Sequence, residues 1–351
     1  LAAAPANIGH PVCARLPLVT TGTLDNTRPR RLRSAAFLLA VLPLGAALSA
    51  CSDDDGADAE TGVQLSLPAP VRGITVVDGS GPLAWARDAA TGDAVGYSLC
   101  LSEGCTDIDL VGLGGDAGDV VAAGSNLWIA PSSSQETMRV VSADGSGAVT
   151  PVGSPLESSA AVGANGDFVY AADAFELYRF EATNPSASPE VAAWTEEAAT
   201  PGAVVASADA VWVFGLTGDV VRVDAATLKV TASSTVGLGV NRAGAVAVGP
   251  DGLYVVTTVD GADTLVALDP DTLEVVATHN LDTDSDITSA AVAVVDGRVV
   301  VATDTALIEF DPATLSKGDV TTLPFGLPVG IAAVGETMWV ATVAGVTIVA
   351  R

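Results

Sequence analysis

Histidine is nearly absent from this chain of 351 residues, which holds His10 and His279 and no others. Chemistry that needs paired imidazoles therefore has no material here. Basic residues are scarce as well: 15 Lys and Arg stand against 42 Asp and Glu, a formal net charge of −27. Phosphate backbones repel such a surface, so nucleic acid is excluded as a partner. An anionic membrane face offers it no attraction either. The ordinary consequence of the acid excess is a soluble, monomeric, β-rich protein. Aromatics make up 5% of the residues. No Ser-His-Asp set, Gly-rich phosphate loop or zinc-type cysteine spacing occurs.

What is abundant is Gly, Ala, Val, Asp and Thr. Prominent β-branched residues favour many short strands over helices.

The N-terminal part reads differently from the rest. A basic cluster at 28–33 (RPRRLR) precedes an apolar run at 35–48, broken by Pro43 and Gly45. That run ends in Leu48, Ser49, Ala50 and Cys51. Charged region, short apolar region and small residues before a cleavage point are the order of a secretory signal. The run is too short and too broken for a transmembrane span. The last four residues resemble the bacterial lipobox. That resemblance implies lipid on Cys51, cleavage just before it, and an anchor on the outer side of the cytoplasmic membrane or in the outer membrane. The plain alternative is a buried cysteine after an ordinary apolar helix. Arg30-Arg31 partly matches a twin-arginine signal, but Arg33 stands where that motif prefers an apolar residue. Residues 1–27 have no place in this scheme. They read as an over-called start, with translation beginning near Val19 or later, or else as a long charged region.

Three divisions follow: a leader over 1–50, an acidic tether over 51–62 that has nothing to bury, and a folded unit over 63–351. Loss of 1–50 removes five Arg and one Asp, leaving 41 acids against 10 bases.

From residue 63 the chain repeats. A four-residue apolar core recurs as LAWA at 83–86, LWIA at 127–130, FVYA at 168–171 and VWVF at 211–214. It returns as LYVV at 253–256, VVVA at 299–302 and MWVA at 338–341. These copies are spaced by about 40 to 46 residues, the range of a four-stranded propeller blade. Third strands recur as MRVV, LYRF, VVRV, LVAL and LIEF, beginning at 138, 177, 220, 265 and 307. Asp224, Asp269 and Asp311 open the turns that follow, where a carboxylate can accept backbone amides ahead of it, while Pro270 and Pro312 preset φ.

The last copy is one strand short, and an unassigned alternating stretch, VQLSL at 63–67, precedes the first. Pairing the two would close a ring and remove its edges. The predicted fold is all-β: a seven-bladed β-propeller of four-stranded antiparallel blades, closed by the N-terminal strand. The repeat resembles extracytoplasmic propellers of the YVTN and quinoprotein-like type over 63–351. That likeness is specific for fold and not for function.

Several residues are candidate sites. Cys100 and Cys105, flanking a short turn in the first blade, suit a disulfide in an oxidising compartment. A redox pair would need Cys-x-x-Cys spacing and a helix start. Trp128, Trp212, Tyr254 and Trp339 occupy one repeat position, as a stacking ring for a ligand or, more simply, as fillers between blades. Trp85 and Trp194 stand out of that register. Asp282, Asp284 and Asp286 alternate as calcium ligands would, without the glycine and distal glutamate of an EF-hand, and a solvated acidic loop is the plain reading. Calcium is the one cofactor these residues suggest.

Arg72 and Arg242 fall just before inner strands, where a central funnel forms. There they would meet an anionic ligand, or pair with Asp286 and Asp304. The favoured function is a non-catalytic binding or protein-interaction scaffold at the cell envelope, with its partner at the funnel or loops. Two rivals are a hydrolase or lactonase using carboxylates and a divalent metal, and an envelope protein-assembly factor. Convergent carboxylates at Asp119, Asp173 and Asp304 would favour the metal enzyme. An Ala/Val/Gly funnel lining would favour the scaffold.

Overall fold

The computed structural model describes residues 63–67, 69–77, 81–88, 90–99, 109–156, 160–193, 200–240, 243–259, 262–281, 290–323 and 326–351. Strand β1 is Val63–Ser66. Blade 1 holds β2 (Val71–Val77), β3 (Gly81–Arg87), β4 (Ala94–Ser98) and β5 (Asp109–Gly112). Blade 2 holds β6 (Asp119–Ala123), β7 (Asn126–Ala130), β8 (Met138–Ser142) and β9 (Thr150–Val152). Blade 3 holds β10 (Ala161–Ala164), β11 (Phe168–Ala172), β12 (Glu176–Glu181) and β13 (Glu190–Ala193). Blade 4 holds β14 (Pro201–Ala206), β15 (Ala210–Gly215), β16 (Asp219–Asp224) and β17 (Val230–Thr235). Blade 5 holds β18 (Val246–Val248), β19 (Leu253–Val259), β20 (Ala262–Leu268) and β21 (Val275–Asn280). Blade 6 holds β22 (Ala291–Val295), β23 (Arg298–Ala302), β24 (Ala306–Phe310) and β25 (Lys317–Thr322). Blade 7 holds β26 (Pro328–Val334), β27 (Thr337–Thr342) and β28 (Gly345–Ala350), completed by β1.

The innermost strands stand side by side around the ring, and β26 returns to β2. This is the seven-bladed propeller that the repeat predicts, and it closes as the two chain ends predict. Val63 pairs with Ile348 and Ser66 with Gly345, antiparallel. Among the described residues no helix is long and apolar enough to cross a membrane.

Packing lies between blades, not at a single centre. Seven apolar clusters fill the seven gaps. Trp128 fills the gap toward blade 3, Trp212 toward blade 5, Tyr254 toward blade 6 and Trp339 toward blade 1. All four rings are buried, so they pack the wedge and are not exposed for stacking. Trp85 shares their facing, toward blade 2, but not their position. It sits opposite Gly73, just past a β-bulge, as Phe214 and Ala341 sit opposite Ala203 and Gly330, so it stands out of register as the sequence suggested. The place of Trp212 and Trp339 is taken in blade 1 by Leu83, opposite Thr75. Tyr170 holds the same place between blades 3 and 4, and Val300 between blades 6 and 7. A buried ring of this size removes roughly 150–250 Å² from water, worth about 4–6 kcal/mol before entropy is counted.

Polar tips latch some gaps. Trp212 donates its indole N–H to the Pro270 carbonyl at 2.9 Å, and the Tyr254 hydroxyl donates to the Pro312 carbonyl at 3.2 Å. Both acceptors lie in the Asp-led turn of the next blade. In those turns the Asp224, Asp269 and Asp311 carboxylates accept the amides of Thr227, Thr272 and Thr314 at 2.8, 2.7 and 3.0 Å. The following leucine then turns left-handed, with φ of 56° at Leu228, 63° at Leu273 and 50° at Leu315. Left-handed backbone costs a non-glycine residue roughly 1–2 kcal/mol. Burial of each leucine side chain offsets that by a similar amount.

Neighbouring inner strands run the same way. Ala122 of β6 donates its amide to the Thr75 hydroxyl of β2 at 3.0 Å. Gly163 lies against the Val204 backbone, and Gly330 against Ile74. The molecule therefore has two distinct rims. The upper rim carries the starts of inner strands, the turns between second and third strands, and the links between blades. The lower rim carries the remaining hairpin turns, including the three led by Asp224, Asp269 and Asp311.

Candidate functional site

The inner strands enclose a central cavity of about 860 Å³. Its walls are built mainly from Val, Ala and Gly, for example Val121, Ala161, Gly163, Val205, Val248 and Val329. Small residues are needed where seven strands converge. A Cβ added at Gly163 would collide with the Val204 carbonyl.

Two charged side chains line the cavity among the described residues, Arg72 and Asp119. Arg72 is the second residue of β2, inside the inner strand and not ahead of it as its sequence context suggested. It is exposed, and the ion pairs among the described residues do not include it. Asp119 opens β6 and is half-buried. Desolvation pushes its carboxyl up to about 7, against the opposing pull of backbone amides at Val120 and Val162. The Val120 amide lies 2.9 Å away. Val162 belongs to the neighbouring blade, so Asp119 staples blades 2 and 3 at the upper rim.

The other expected carboxylates share this rim but do not converge on the cavity. Asp173 is fully buried and accepts the amides of Phe175 and Glu176, both at 2.8 Å, as the cap of its turn. Asp304 lies between β23 and β24 and does not line the cavity. Among the described residues no group of three His, Cys, Asp or Glu is placed to hold a metal ion. Arg242, Cys51, Cys100, Cys105, Asp282, Asp284, Asp286 and Trp194 lie outside the described residues. His279 sits on the outer strand β21 and meets Phe310 edge-on at 4.8 Å, away from the cavity.

Two features of the site had no sequence signature. The first is a short 3₁₀ turn at Ala243–Ala245, just ahead of β18. It belongs to blade 5 yet lies close to β10, β14, β22 and β26. A segment that touches blades on both sides of its own must reach toward the axis, so this turn crosses the upper end of the cavity. Gly244 permits it, because a Cβ there would collide with the Val329 carbonyl. The second is a group of exposed large apolar side chains on the upper rim: Phe175, Leu216, Leu327 and Val343. Leu216 and Val343 also line the cavity. Polar turns usually read as solvated, and nothing in one-dimensional pattern says that these four share a rim.

The arrangement can hold or exclude small polar groups at Arg72 and Asp119. Among the described residues lining the cavity, no nucleophile stands beside a base.

The sequence matches no known protein family profile and no curated protein. Its fold is similar to that of many solved structures. BamB from Moraxella catarrhalis shares 13% identity at a TM-score of 0.54, over 80% of this chain and 84% of that one. U3-55K shares 9% at a TM-score of 0.63, over 84% of this chain and all of that one. A chain of the mitotic checkpoint complex shares 11% at a TM-score of 0.61, over 91% and 99%. At these identities the likeness is one of fold: the chain is an all-β, seven-bladed propeller.

Proposed function

We propose that this protein is a lipid-anchored, extracytoplasmic propeller that works as a non-catalytic interaction scaffold at the cell envelope. The observation that carries the scaffold reading is the cavity lining. A wall of Val, Ala and Gly with one carboxyl and one guanidinium lacks the paired acid and base that hydrolysis asks for. One fold neighbour belongs, by its name, to a multi-protein complex, which fits use of the fold as a platform. The envelope reading rests on the leader: the basic cluster, the apolar run and the lipobox-like end at Cys51, with 51–62 as tether and 63–351 as the displayed domain. On the same reading, Cys100 and Cys105 form a disulfide after export. Asp282, Asp284 and Asp286 are read as a solvated acidic loop, and calcium binding there is the alternative that thermal shift with calcium or chelator tests.

The test is Cys51→Ser in the full chain, followed through cell fractionation and metabolic labelling with a fatty acid. The wild type is expected to label and to sediment with membranes, and the variant to do neither. An unlabelled wild-type protein would overturn the anchor. The scaffold half is tested separately, by thermal shift with calcium or chelator and by turnover on a panel of lactones. No shift and no turnover are expected. Metal-dependent turnover would replace the scaffold with the hydrolase.

A further inference from the structure

We infer that the upper rim is the docking face, and that its partner is an extended protein segment bearing apolar side chains interspersed with Lys or Arg. The inference rests on the scaffold reading and specifies its surface.

The first support is the distribution of exposed apolar groups. Phe175 is 58% exposed, Leu327 47% and Leu216 46%, and Val343 is nearly as open. Single exposed apolar residues are ordinary on any protein. These four are not scattered. Phe175 and Leu216 lie in equivalent turns of the adjoining blades 3 and 4. Leu327 and Val343 both belong to blade 7 and are joined by a hydrogen bond, the Val343 amide donating to the Leu327 carbonyl at 3.0 Å. Blade 7 stands across the ring from blades 3 and 4, so the two apolar pairs face each other over the cavity mouth. Among the described residues, the other exposed large apolar side chains sit on inner or outer strands, and none of them lies in a lower-rim turn. That rim is instead made of Asp-led turns.

The second support is charge. Glu176 adjoins Phe175, Asp219 follows Leu216 closely, and Glu136 and Asp304 occupy the corresponding turns of blades 2 and 6. Three bases stand on this rim among the described residues, and of these Arg72 alone is exposed and outside the ion pairs. Arg87 is held by Asp116 at 3.1 Å, and Arg139 is committed to the carbonyls of Gly114 and Asp116. With a chain charge of −27, an acidic partner is repelled, whereas a basic one is steered in and held in register.

The third support is shape. The turn at Ala243–Ala245 reaches over the cavity mouth, close to β14, β22 and β26, so a partner meets a platform that this turn partly covers. An extended segment can lie across such a platform and place side chains at both apolar pairs. A compact ligand in the cavity would meet Leu216 and Val343 but leave Phe175 and Leu327, which do not line it, uncovered.

Three fluorescein-labelled peptides of about twelve residues, spanning roughly 40 Å when extended, provide the test. One alternates Leu or Phe with Lys, one replaces Lys by Glu, and one replaces the apolar residues by Ser. Binding to the exported full chain is read by fluorescence anisotropy at low and high salt. The Leu/Lys peptide is expected to bind saturably and to weaken with salt, and the other two are expected not to bind. Phe175→Ser with Leu216→Ser, and separately Leu327→Ser with Val343→Ser, should each weaken it about tenfold or more. Val276→Ser, on the outer strand β21, should leave it unchanged. Circular dichroism melts guard against unfolding, and hydrogen exchange maps the footprint. Equal binding of the Glu peptide, or a footprint on the outer strands, overturns the rim assignment but leaves a scaffold. Absence of binding by all three peptides overturns the rim assignment too, and joined with catalytic turnover it removes the scaffold as well.

Discussion

At the scale of single residues, the aromatic fillers separate packing from hydrogen bonding. Trp212 has a partner for its indole N–H in the Pro270 carbonyl, whereas the Trp128 N–H is buried without one. Trp128 instead packs against Phe180, with ring centroids 5.4 Å apart. Trp212→Phe should therefore cost more than Trp128→Phe by about 1 kcal/mol, the net worth of one hydrogen bond. Urea melts of the two variants measure that difference. Asp119 supplies the second residue-scale prediction. Its carboxyl titrates near 7 in the folded chain, against an ordinary 3.8. A raised acid favours the fold while it is protonated, and that contribution is lost as pH climbs through the folded value. Asp119→Asn, which cannot ionise, should match the wild type near pH 4 and gain over it up to about pH 8. With roughly 1.4 kcal/mol for each unit displaced, the gain is on the order of 2–4 kcal/mol. Melting curves across that range check it, and a flat difference would contradict the account.

Elements show which parts of this molecule can be read from sequence. The second-strand cores and the Asp-led turns were legible because each is a local pattern, complete within a few residues. Asp224, Asp269 and Asp311 cap their turns as the spacing suggested, and their pKa is lowered, chiefly by hydrogen bonds from the threonine three residues on. Replacing Asp269 by Ala should lower the melting temperature at neutral pH. The deficit should shrink as pH falls below the carboxylate range, because a depressed acid stabilises only while ionised. What stayed hidden depends on neighbours far along the chain. The behaviour of Asp119 is set partly by an amide of the next blade, at Val162. The turn at Ala243–Ala245 owes its position to Val329, whose backbone leaves no room for a side chain at Gly244. Arg222 is a similar case: its charge pattern is ordinary, yet it pairs with Asp271 of the adjoining blade at 3.0 Å. The candidate site was accordingly less legible than the fold. The inner strands were expected to form a funnel, but its obstructed mouth and apolar rim arise only when seven blades are assembled.

For the whole molecule, stability depends on one closure. Blade 7 takes its fourth strand from the other end of the chain, and the fit is tight. Gly345 has a φ of 152°, and a Cβ there would strike the Leu65 carbonyl. A chain beginning at residue 67 would leave the outer edge of β28 open. It should melt lower and self-associate with rising concentration, since an unpaired strand edge recruits other chains. A chain beginning at residue 63 should do neither. Gly345→Ala should resemble the shorter chain in kind and to a smaller degree. Light scattering and melting curves distinguish the three.

That same closure sets a timetable. Six blades are each continuous in sequence and can form as soon as their own residues are available, by contacts that are short-range along the chain. The seventh joins Val63 to Ile348, so the strand made among the first must wait for the strand made last. Until then the ring is open, with two unpaired ends exposed to proteases and to other nascent chains throughout synthesis. The final step in maturation is a loop closure spanning nearly the whole domain, and its rate is set by topology more than by the strength of any one blade.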